Sequence, residues 1–299
     1  MATTQVIANQ VSLQPLKCKL RDYYTLTKPE VNLLILMTTS AGYYLASRGP
    51  IRIAGLLNTL LGTLLVASGT ATLNQWMERV WDGKMRRTAS RPLPSGRLTS
   101  REALLFGILL SVAGGLYLLV AVNRLSALLA VSTLLSYLLV YTPLKRKTPF
   151  CTLLGAFPGA MPTLIGWAGA SANINRPAWS LFAILFLWQF PHFLAIALMY
   201  RDDYSRAGYR MLPDFDRDTR FTRMEIVGFA LILVLVTMLP LGGRVGLPYW
   251  AGMCLAGAFL LYHVAKLAAS GSTVLASRLL HASVLYLPVV LLIMVASKK

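Results

Sequence analysis

Residues 53–97 decide the fold, and they read IAGLLNTLLGTLLVASGTATLNQWMERVWDGKMRRTASRPLPSGR. The first part, residues 53–76, contains no charged residue and is long enough for a helix to cross about 30 Å of hydrocarbon. The second part carries acids first and then bases. A helix that spans a bilayer and then continues into a charged loop accounts for both parts, so the stretch predicts an all-α membrane protein.

The composition of the whole chain also indicates a membrane protein. Of its 299 residues, 56% are hydrophobic and 13% are charged. A soluble domain carries about a quarter charged residues, so a single water-soluble globule is excluded. The high apolar content excludes intrinsic disorder as well.

Apolar stretches of membrane-spanning length recur along the chain, and none shows the period-two alternation of a transmembrane barrel. Residues 1–22 are expected to form a polar N-terminal tail, and residues 23–299 a single transmembrane domain. We predict nine transmembrane helices within it, at residues 31–47, 53–76, 103–122, 125–141, 150–170, 178–200, 226–243, 247–267 and 279–296.

Charged residues are distributed unevenly between the two sides of this bundle. Most of the 29 Lys and Arg, and all eleven Asp and Glu, fall on the side that holds the N-terminus. The positive-inside rule places that side, with the N-terminus, in the cytoplasm or its matrix equivalent. Topology therefore explains the net charge of +18, and no nucleic-acid partner is expected. Because a signal peptide or presequence pattern is missing, we expect a bacterial plasma (inner) membrane, with an organelle inner membrane as the alternative.

An oxygen-bearing stripe lies where the second predicted helix meets this face. Asn74, Glu78 and Asp82 follow at i, i+4 and i+8, so on a helix they share one face over about 12 Å. Such oxygens suit Mg²⁺, which usually keeps water and substrate phosphates as further ligands. The alternative is a solvated helix end followed by topogenic bases. Cations that could bind a diphosphate come next in the chain, at Lys84, Arg86, Arg87, Arg91 and Arg97.

Two further charged segments fall on the same side. Asp202 and Asp203 follow the sixth predicted helix, and one of them could complete a two-sided metal clamp. The alternative is an ordinary interfacial loop. Lys145 and Lys147 flank Arg146 after the fourth helix and form either another diphosphate contact or a topology anchor.

His192 is the distinctive histidine of the chain, because it precedes the end of the sixth helix by about 12 Å. Ionisable residues inside a membrane usually face the bundle interior. A neutral imidazole there could bind a metal such as haem iron. The alternative is a hydrogen-bonded histidine that packs beside Pro191.

The polar segments together resemble a known family. Residues 74–97 look like the first aspartate-rich motif of the UbiA-type prenyltransferases, and more narrowly like that of the protohaem IX farnesyltransferases, or haem O synthases, within it. Segments that resemble this family in the same order are Tyr141-Thr-Pro-Leu-Lys145-Arg-Lys-Thr, Gly155-Ala-Phe-Pro-Gly159, Trp188-Gln-Phe-Pro-His192 and Asp203-Tyr204-xx-Ala207-Gly208-xx-Met211-Leu-Pro213.

The resemblance implies a nine-helix bundle with a lateral cavity. It implies transfer of farnesyl from farnesyl diphosphate to a vinyl group of haem b, with water addition, giving haem O and diphosphate. Asn74, Glu78 and Asp82 would hold Mg²⁺ and the diphosphate. Asp202 or Asp203 would hold a second metal or orient basic partners. A downstream haem-modifying membrane enzyme is a possible partner.

Three other functions stay open at this point. A UbiA-type transferase could act on another aromatic acceptor, such as a quinone or chlorophyll precursor. A transporter should show broken helices and polar groups at the midplane, whereas every acid here falls at one face. A haem-binding subunit without catalysis would leave the acid stripe with no role.

Overall fold

The computed structural model describes residues 16–240 and 245–298. Residues 1–15 of the expected tail, and residues 241–244 at the end of the seventh predicted span, lie outside these ranges. The described chain is helical and contains no strand. Its helices are α1 (Leu16–Leu26), α2 (Pro29–Ala46), α3 (Ile53–Asp82), α4 (Ser100–Ala121), α5 (Arg124–Leu144), α6 (Cys151–Ser171), α7 (Arg176–Met199), α8 (Arg201–Ala207), α9 (Leu212–Phe215), α10 (Arg220–Met238), α11 (Leu247–Ser270) and α12 (Thr273–Ala296).

The multi-pass membrane architecture is confirmed. In the two described ranges, eight helices are long and apolar enough to cross a membrane. The remaining predicted span, the first along the chain, corresponds to α2, an 18-residue helix with Pro29 and Glu30 in its first turn. It packs mainly against α6 and also contacts α3, so it belongs to the bundle. The central helix α7 contacts α6 on one side and α10 and α12 on the other, and most of the large hydrophobic core lies around it.

Helix α3 is longer than the sequence suggests. The apolar pattern ends at residue 76, yet the helix continues to Asp82, and Gly83 forms its C-cap. The extra turns carry charged side chains that the fold buries and pairs with cations, so they need not face lipid. This extension keeps the whole acid stripe on one continuous helix.

Helix α5 is irregular near its C-terminal end. Residues Ser136–Tyr141 form a π-helical segment, and a last turn, Thr142–Leu144, follows it. Pro143 lacks a backbone N–H and its ring crowds the preceding turn, which favours a break in the regular pattern at this position. Single π-helical turns often occur at functional sites. Here Tyr137 and Tyr141, one at each end of the segment, both line the bundle cavity.

Glycines allow α2 and α6 to touch backbone to backbone. A Cβ atom at Gly166 of α6 would collide with the backbone carbonyl oxygen of Thr39. A Cβ atom at Gly42 of α2 would collide with that of Thr163. Only glycine fits at such distances, as in close helix packing within membranes. These contacts position α6, which forms one wall of the cavity.

The expected boundary between tail and bundle at residue 22 falls inside α1. Two ion pairs tie this helix to the chain after α3: Asp22 Oδ1 accepts from Arg97 Nε at 2.9 Å, and Lys19 Nζ lies 2.5 Å from Glu102 Oε1. Lys19 and Asp22 thus hold α1 against the bundle, while the domain boundary at residue 22 stays a prediction.

Candidate functional site

The bundle encloses a cavity of about 430 Å³, within the size range of small-molecule sites. Its membrane-level walls are mostly apolar and come from α2, α3, α5, α6 and α7. The end of the cavity next to the C-terminus of α3 is charged. The charged or amide side chains at that end are Lys28, Asn74, Glu78, Asp82, Arg87, Arg91 and Lys145.

The acid stripe faces this cavity as a group. Asn74 is 1% exposed, Glu78 5% and Asp82 1%, and all three line the cavity. Lys145 Nζ lies 2.9 Å from Glu78 Oε1, and Arg91 NH1 lies 2.7 Å from Asp82 Oδ2. The cations come from the end of α5 and from the loop after α3, so distant parts of the sequence converge on the stripe.

The amide of Asn74 has a defined orientation. Its Nδ2 donates to Thr142 Oγ1 at 3.1 Å, and that hydroxyl donates to the carbonyl oxygen of Tyr137 at 2.9 Å. The π-helical segment of α5 therefore holds the amide through Thr142. The amide oxygen is left as an acceptor, and Lys28 Nζ lies 3.5 Å from it.

Lys28 is a site residue that the sequence reading missed. It occupies a left-handed backbone conformation, with φ 51°, at the N-cap of α2. Its ammonium contacts Asn74, whereas the two carboxylates of the stripe bind Lys145 and Arg91. Burial, with repulsion from Arg91 and Lys145, lowers the pKa of Lys28 to about 7. Since an anion would relieve that repulsion, this end of the cavity is suited to a phosphate group.

Lys145 is held at the same end by its neighbours. Burial alone would lower its pKa, but the Glu78 carboxylate together with Tyr141, Tyr137 and Tyr209 outweighs that effect and holds the pKa of Lys145 well above its usual value. Its Nζ also lies 4.6 Å from the ring centroid of Tyr141, a cation–π distance. Lys145 is therefore a charged, pre-positioned ammonium.

Arg87 is positioned by the loop after α7. Its backbone N–H donates to Asp203 Oδ2 at 3.2 Å, and its NH2 donates to Tyr204 Oη at 3.2 Å. Its guanidinium also stacks over the ring of Tyr200, 4.7 Å from the centroid. Asp203 is 9% exposed and also pairs with Arg206 NH1 at 2.9 Å. Burial opposes ionisation, but these hydrogen bonds lower the pKa of Asp203.

Several predicted site residues lie outside the lining of this cavity. The exposed Lys84 is not among the lining residues. Arg97 binds Asp22 and the loop itself through Ser95 Oγ and the carbonyl of Ser90. Lys147 lines an adjoining pocket with Arg146 and Trp81, and this pocket shares Glu78 and Tyr209 with the cavity. Of the predicted diphosphate contacts, the structure brings Arg87, Arg91 and Lys145 to the acid stripe.

The two adjacent acids of α8 differ in environment, and this difference can be tested. Asp202 is exposed, whereas Asp203 accepts the hydrogen bonds that hold Arg87. We expect Asp203→Ala to raise the dissociation constant of inorganic diphosphate by about 5- to 30-fold, since hydrogen bonds to a charged group are lost. The matched variant Asp202→Ala should leave this constant unchanged. Equal effects of the two substitutions, measured by calorimetry with purified protein, would contradict this distinction.

His192 faces the last helix rather than the acid stripe. Its Nδ1 lies 2.9 Å from Ser283 Oγ on α12, and its ring stacks on Trp188 with 4.5 Å between centroids. Trp188 Nε1 donates to the carbonyl of Ser283 at 2.7 Å, so Trp188, His192 and Ser283 form one connected corner between α7 and α12. His192 is not among the residues that line the cavity. Its Nε2 is the nitrogen left for any metal, and haem ligation by His192 stays a prediction.

The donor set at the stripe fits a magnesium ion that shares its ligands with a phosphate. Two carboxylates and one amide oxygen face one cavity, and oxygen donors are what Mg²⁺ prefers. Within residues 16–240 and 245–298, no group of three or more His, Cys, Asp or Glu side chains is arranged to hold a metal unaided. The remaining ligands would be water and phosphate oxygens, as is usual for Mg²⁺.

Comparison with known proteins points to a family of prenyltransferases. The chain matches the sequence model of the UbiA prenyltransferase family over residues 35–293. It is 50% identical over 281 residues to the protoheme IX farnesyltransferase of Solibacter usitatus (strain Ellin6076), covering 91% of this chain and 96% of the relative. The protoheme IX farnesyltransferase of Koribacter versatilis (strain Ellin345) is 43% identical over 293 residues, covering 93% and 94%.

Solved structures share the fold. A structure of digeranylgeranylglyceryl phosphate synthase superposes with a TM-score of 0.76 at 19% identity, covering 94% of this chain and 98% of the other. A UbiA homologue from Archaeoglobus fulgidus, bound to GPP and Mg²⁺, superposes with a TM-score of 0.67 at 16% identity, covering 91% and 99%. At these identities the likeness is one of fold, and it confirms the UbiA-like bundle.

Proposed function

Because the chain belongs to the UbiA prenyltransferase family, we propose that its charged cavity binds farnesyl diphosphate and transfers the farnesyl group to a vinyl group of haem b. Water addition then gives haem O, and diphosphate is released. The observation that carries this proposal is the burial of Asn74, Glu78 and Asp82 on one cavity face among Lys28, Arg91 and Lys145. Identity of 40–50% to proteins named protoheme IX farnesyltransferase supports the choice of substrates.

The cations of the site neutralise the diphosphate. Arg91 and Lys145 come from two different segments and can contact the two phosphates from different directions. Arg87, stacked on Tyr200, adds a guanidinium that suits bidentate phosphate binding. Lys28 adds an ammonium that is partnered only by an amide oxygen within the described chain. Such neutralisation stabilises the charge that develops on the leaving diphosphate.

Asn74, Glu78 and Asp82 would hold Mg²⁺, which supplies Lewis-acid stabilisation of the diphosphate when bound. For Mg²⁺ to bind there, Lys145 and Arg91, which now pair with Glu78 and Asp82, would also contact the diphosphate of the substrate. Thr142 keeps the Asn74 oxygen directed away from α5, so the donor geometry exists before the substrate arrives.

The remaining walls protect the carbocation. The allylic C–O bond breaks with its electron pair leaving on the diphosphate oxygen, and the vinyl carbon of haem attacks the allylic carbon. The resulting cation on the side chain takes a water oxygen and loses a proton, which leaves the hydroxyl group. Tyr137 and Tyr141 line the cavity beside the charged end, and their ring faces can stabilise a nearby cation. The apolar walls below them accept the farnesyl tail.

A direct assay tests this function. Purified protein supplied with haem b, farnesyl diphosphate and Mg²⁺ should form a heavier, more apolar haem with the mass of haem O, and EDTA should stop its formation. Mass spectrometry of the extracted haems provides the readout. Prenylation of 4-hydroxybenzoate without any haem product would show instead a UbiA-type enzyme with a different acceptor. Haem binding without product in complete reactions would favour a non-catalytic subunit.

The proposal also includes the membrane location of the enzyme, the extent of its domain and the recipient of its product. Its cytoplasmic face would be the charged end of the cavity, in the plasma (inner) membrane of a bacterium. Residues from 23 onward would act as one prenyltransferase domain, assisted by α1 at the rim. Haem O is an apolar product, so an enzyme that further modifies haem in the same membrane would be its recipient.

A further inference from the structure

Tyr209 carries a buried hydroxyl that the fold leaves without a partner. The residue is 3% exposed, and no atom of the described chain accepts or donates a hydrogen bond at its Oη. A buried polar group without a partner costs about 1–3 kcal/mol. A fold keeps such a group most readily when a ligand supplies the missing partner.

The backbone holds Tyr209 firmly in place. Its own N–H donates to the carbonyl of Tyr204 at 2.9 Å, and the following N–H, of Arg210, donates to the carbonyl of Lys145 at 2.8 Å. Gly208 precedes it with φ +74°, a conformation that favours glycine and turns the chain toward α5. The chain path therefore places Tyr209 beside Lys145.

The phenol lines the charged end of the cavity. Lys145 Nζ lies 6.0 Å from its ring centroid, and Glu78 and Lys145 line the same cavity. The nearest protein acceptor is the Glu78 carboxylate, and both of its oxygens accept from Lys145 Nζ. It lies near the Tyr209 hydroxyl, but the geometry does not form a hydrogen bond between them. A tyrosine hydroxyl, with an ordinary pKa of about 10, is protonated at neutral pH and can donate a hydrogen bond.

We propose that the Tyr209 hydroxyl donates a hydrogen bond to an oxygen of the substrate's diphosphate. This inference rests on the proposed function and adds one neutral donor to the cations of the site. A neutral donor stabilises the leaving group without repelling Lys28, Arg91 or Lys145. Position 209 is one of the open positions in the Ala207-Gly208-xx-Met211 segment, so the resemblance between sequences gave no reason to expect a role for it.

The variant Tyr209→Phe removes this donor and little else. We expect the dissociation constant of inorganic diphosphate, titrated by calorimetry in the presence of Mg²⁺, to rise by about 10- to 100-fold, the range for a hydrogen bond to a charged group. The KM for haem b should not change. The melting temperature should stay the same or rise, because the variant no longer buries an unpartnered hydroxyl.

Tyr286→Phe is the matched control. Its hydroxyl is also buried, but it bonds Thr237 Oγ1 at 3.1 Å at a site remote from the stripe. This control should lose stability and keep its diphosphate affinity. Unchanged diphosphate affinity in Tyr209→Phe, or an equal loss in both variants, would overturn the inference. Because calorimetry uses diphosphate alone, it decides the role of Tyr209 even if the wild-type protein makes no haem O.

Discussion

Glu78→Gln is expected to lower kcat by about a hundred- to thousandfold while the protein stays folded. The substitution keeps the size of the side chain and removes the charge that would hold Mg²⁺, and effects of this size follow the loss of one group that stabilises a transition state. It also leaves Lys145 without its carboxylate. Asp82→Asn, which deprives Arg91 of its partner, should have a similar effect. The rate of haem O formation at saturating substrate measures kcat, and a thermal melt shows whether each variant is folded.

Glu102→Gln is the control for this prediction. Glu102 lies at the same rim, pairs with Lys19 and completes the capping box of α4, but it is not among the cavity-lining residues. Glutamine can still serve in the capping box, so the substitution removes only the partly exposed ion pair with Lys19. It should cost at most about 1 kcal/mol of stability and leave kcat unchanged. Normal turnover in Glu78→Gln and Asp82→Asn would remove the acid stripe from the catalytic machinery.

Gly166→Leu is expected to prevent recovery of folded protein. A side chain at this position would meet the Thr39 carbonyl and the backbone N of Tyr43, so α2 and α6 would have to move apart. Overpacking a well-packed core usually costs about 1–3 kcal/mol, and a clash with backbone cannot be relieved by a change of rotamer. The cavity would be lost as well, because α6 contributes Gly155, Gly159 and Ile165 to its wall.

Gly228→Leu is the matched control for this packing prediction. Gly228 lies in α10, and a Cβ there would meet nothing within 4 Å. This variant should be recovered at wild-type yield, and the milder Gly228→Ala should gain about 0.5–1 kcal/mol of stability from the replacement of a helix glycine. Size-exclusion chromatography in detergent distinguishes the variants. Monodisperse, heat-stable Gly166→Leu would contradict the backbone contact.

The acid stripe was predictable because the i, i+4, i+8 spacing of its residues can be read directly from the sequence. Asn74, Glu78 and Asp82 share a face on any helix, and the structure confirms that the helix runs through all three. The predicted span ends at residue 76, whereas the helix continues to Asp82. Hydropathy cannot predict this extension, because it does not register that Lys145 and Arg91 pair with the buried acids. The fold class followed from composition and from the lengths of the apolar stretches, both of which are properties of the chain alone.

The identity of the cations around the stripe depends on tertiary structure. Lys84 and Arg91 belong to one loop, yet only Arg91 turns to Asp82, because Met85 and Thr88 anchor the intervening turns in the core and to the Asp82 carbonyl. Lys28 is separated from Asn74 by 46 positions, so no local pattern joins them. A lysine directly before Pro29, outside the apolar stretch and at the charged face, was the available signal.

The position of His192 along α7 does not determine which neighbouring helix its side chain faces. Its position within α7 was correctly seen to be unusual, but the helix face it occupies turns to Ser283 on α12. Rotation about the helix axis depends on which neighbours pack against α7, and that information is absent from a single stretch of sequence. The corner formed by His192, Trp188 and Ser283 is a hydrogen-bonded packing unit in this structure.

Manganese binding tests the central claim most directly, since Mn²⁺ can replace Mg²⁺ and is visible by electron paramagnetic resonance. Wild-type protein with farnesyl diphosphate should convert free Mn²⁺ to a bound signal, and omission of the diphosphate should largely abolish it. Glu78→Gln and Asp82→Asn should each weaken Mn²⁺ binding by about tenfold or more, which is the effect expected when one metal ligand is lost. Manganese that binds both variants as tightly as it binds the wild type would contradict the assignment of the stripe.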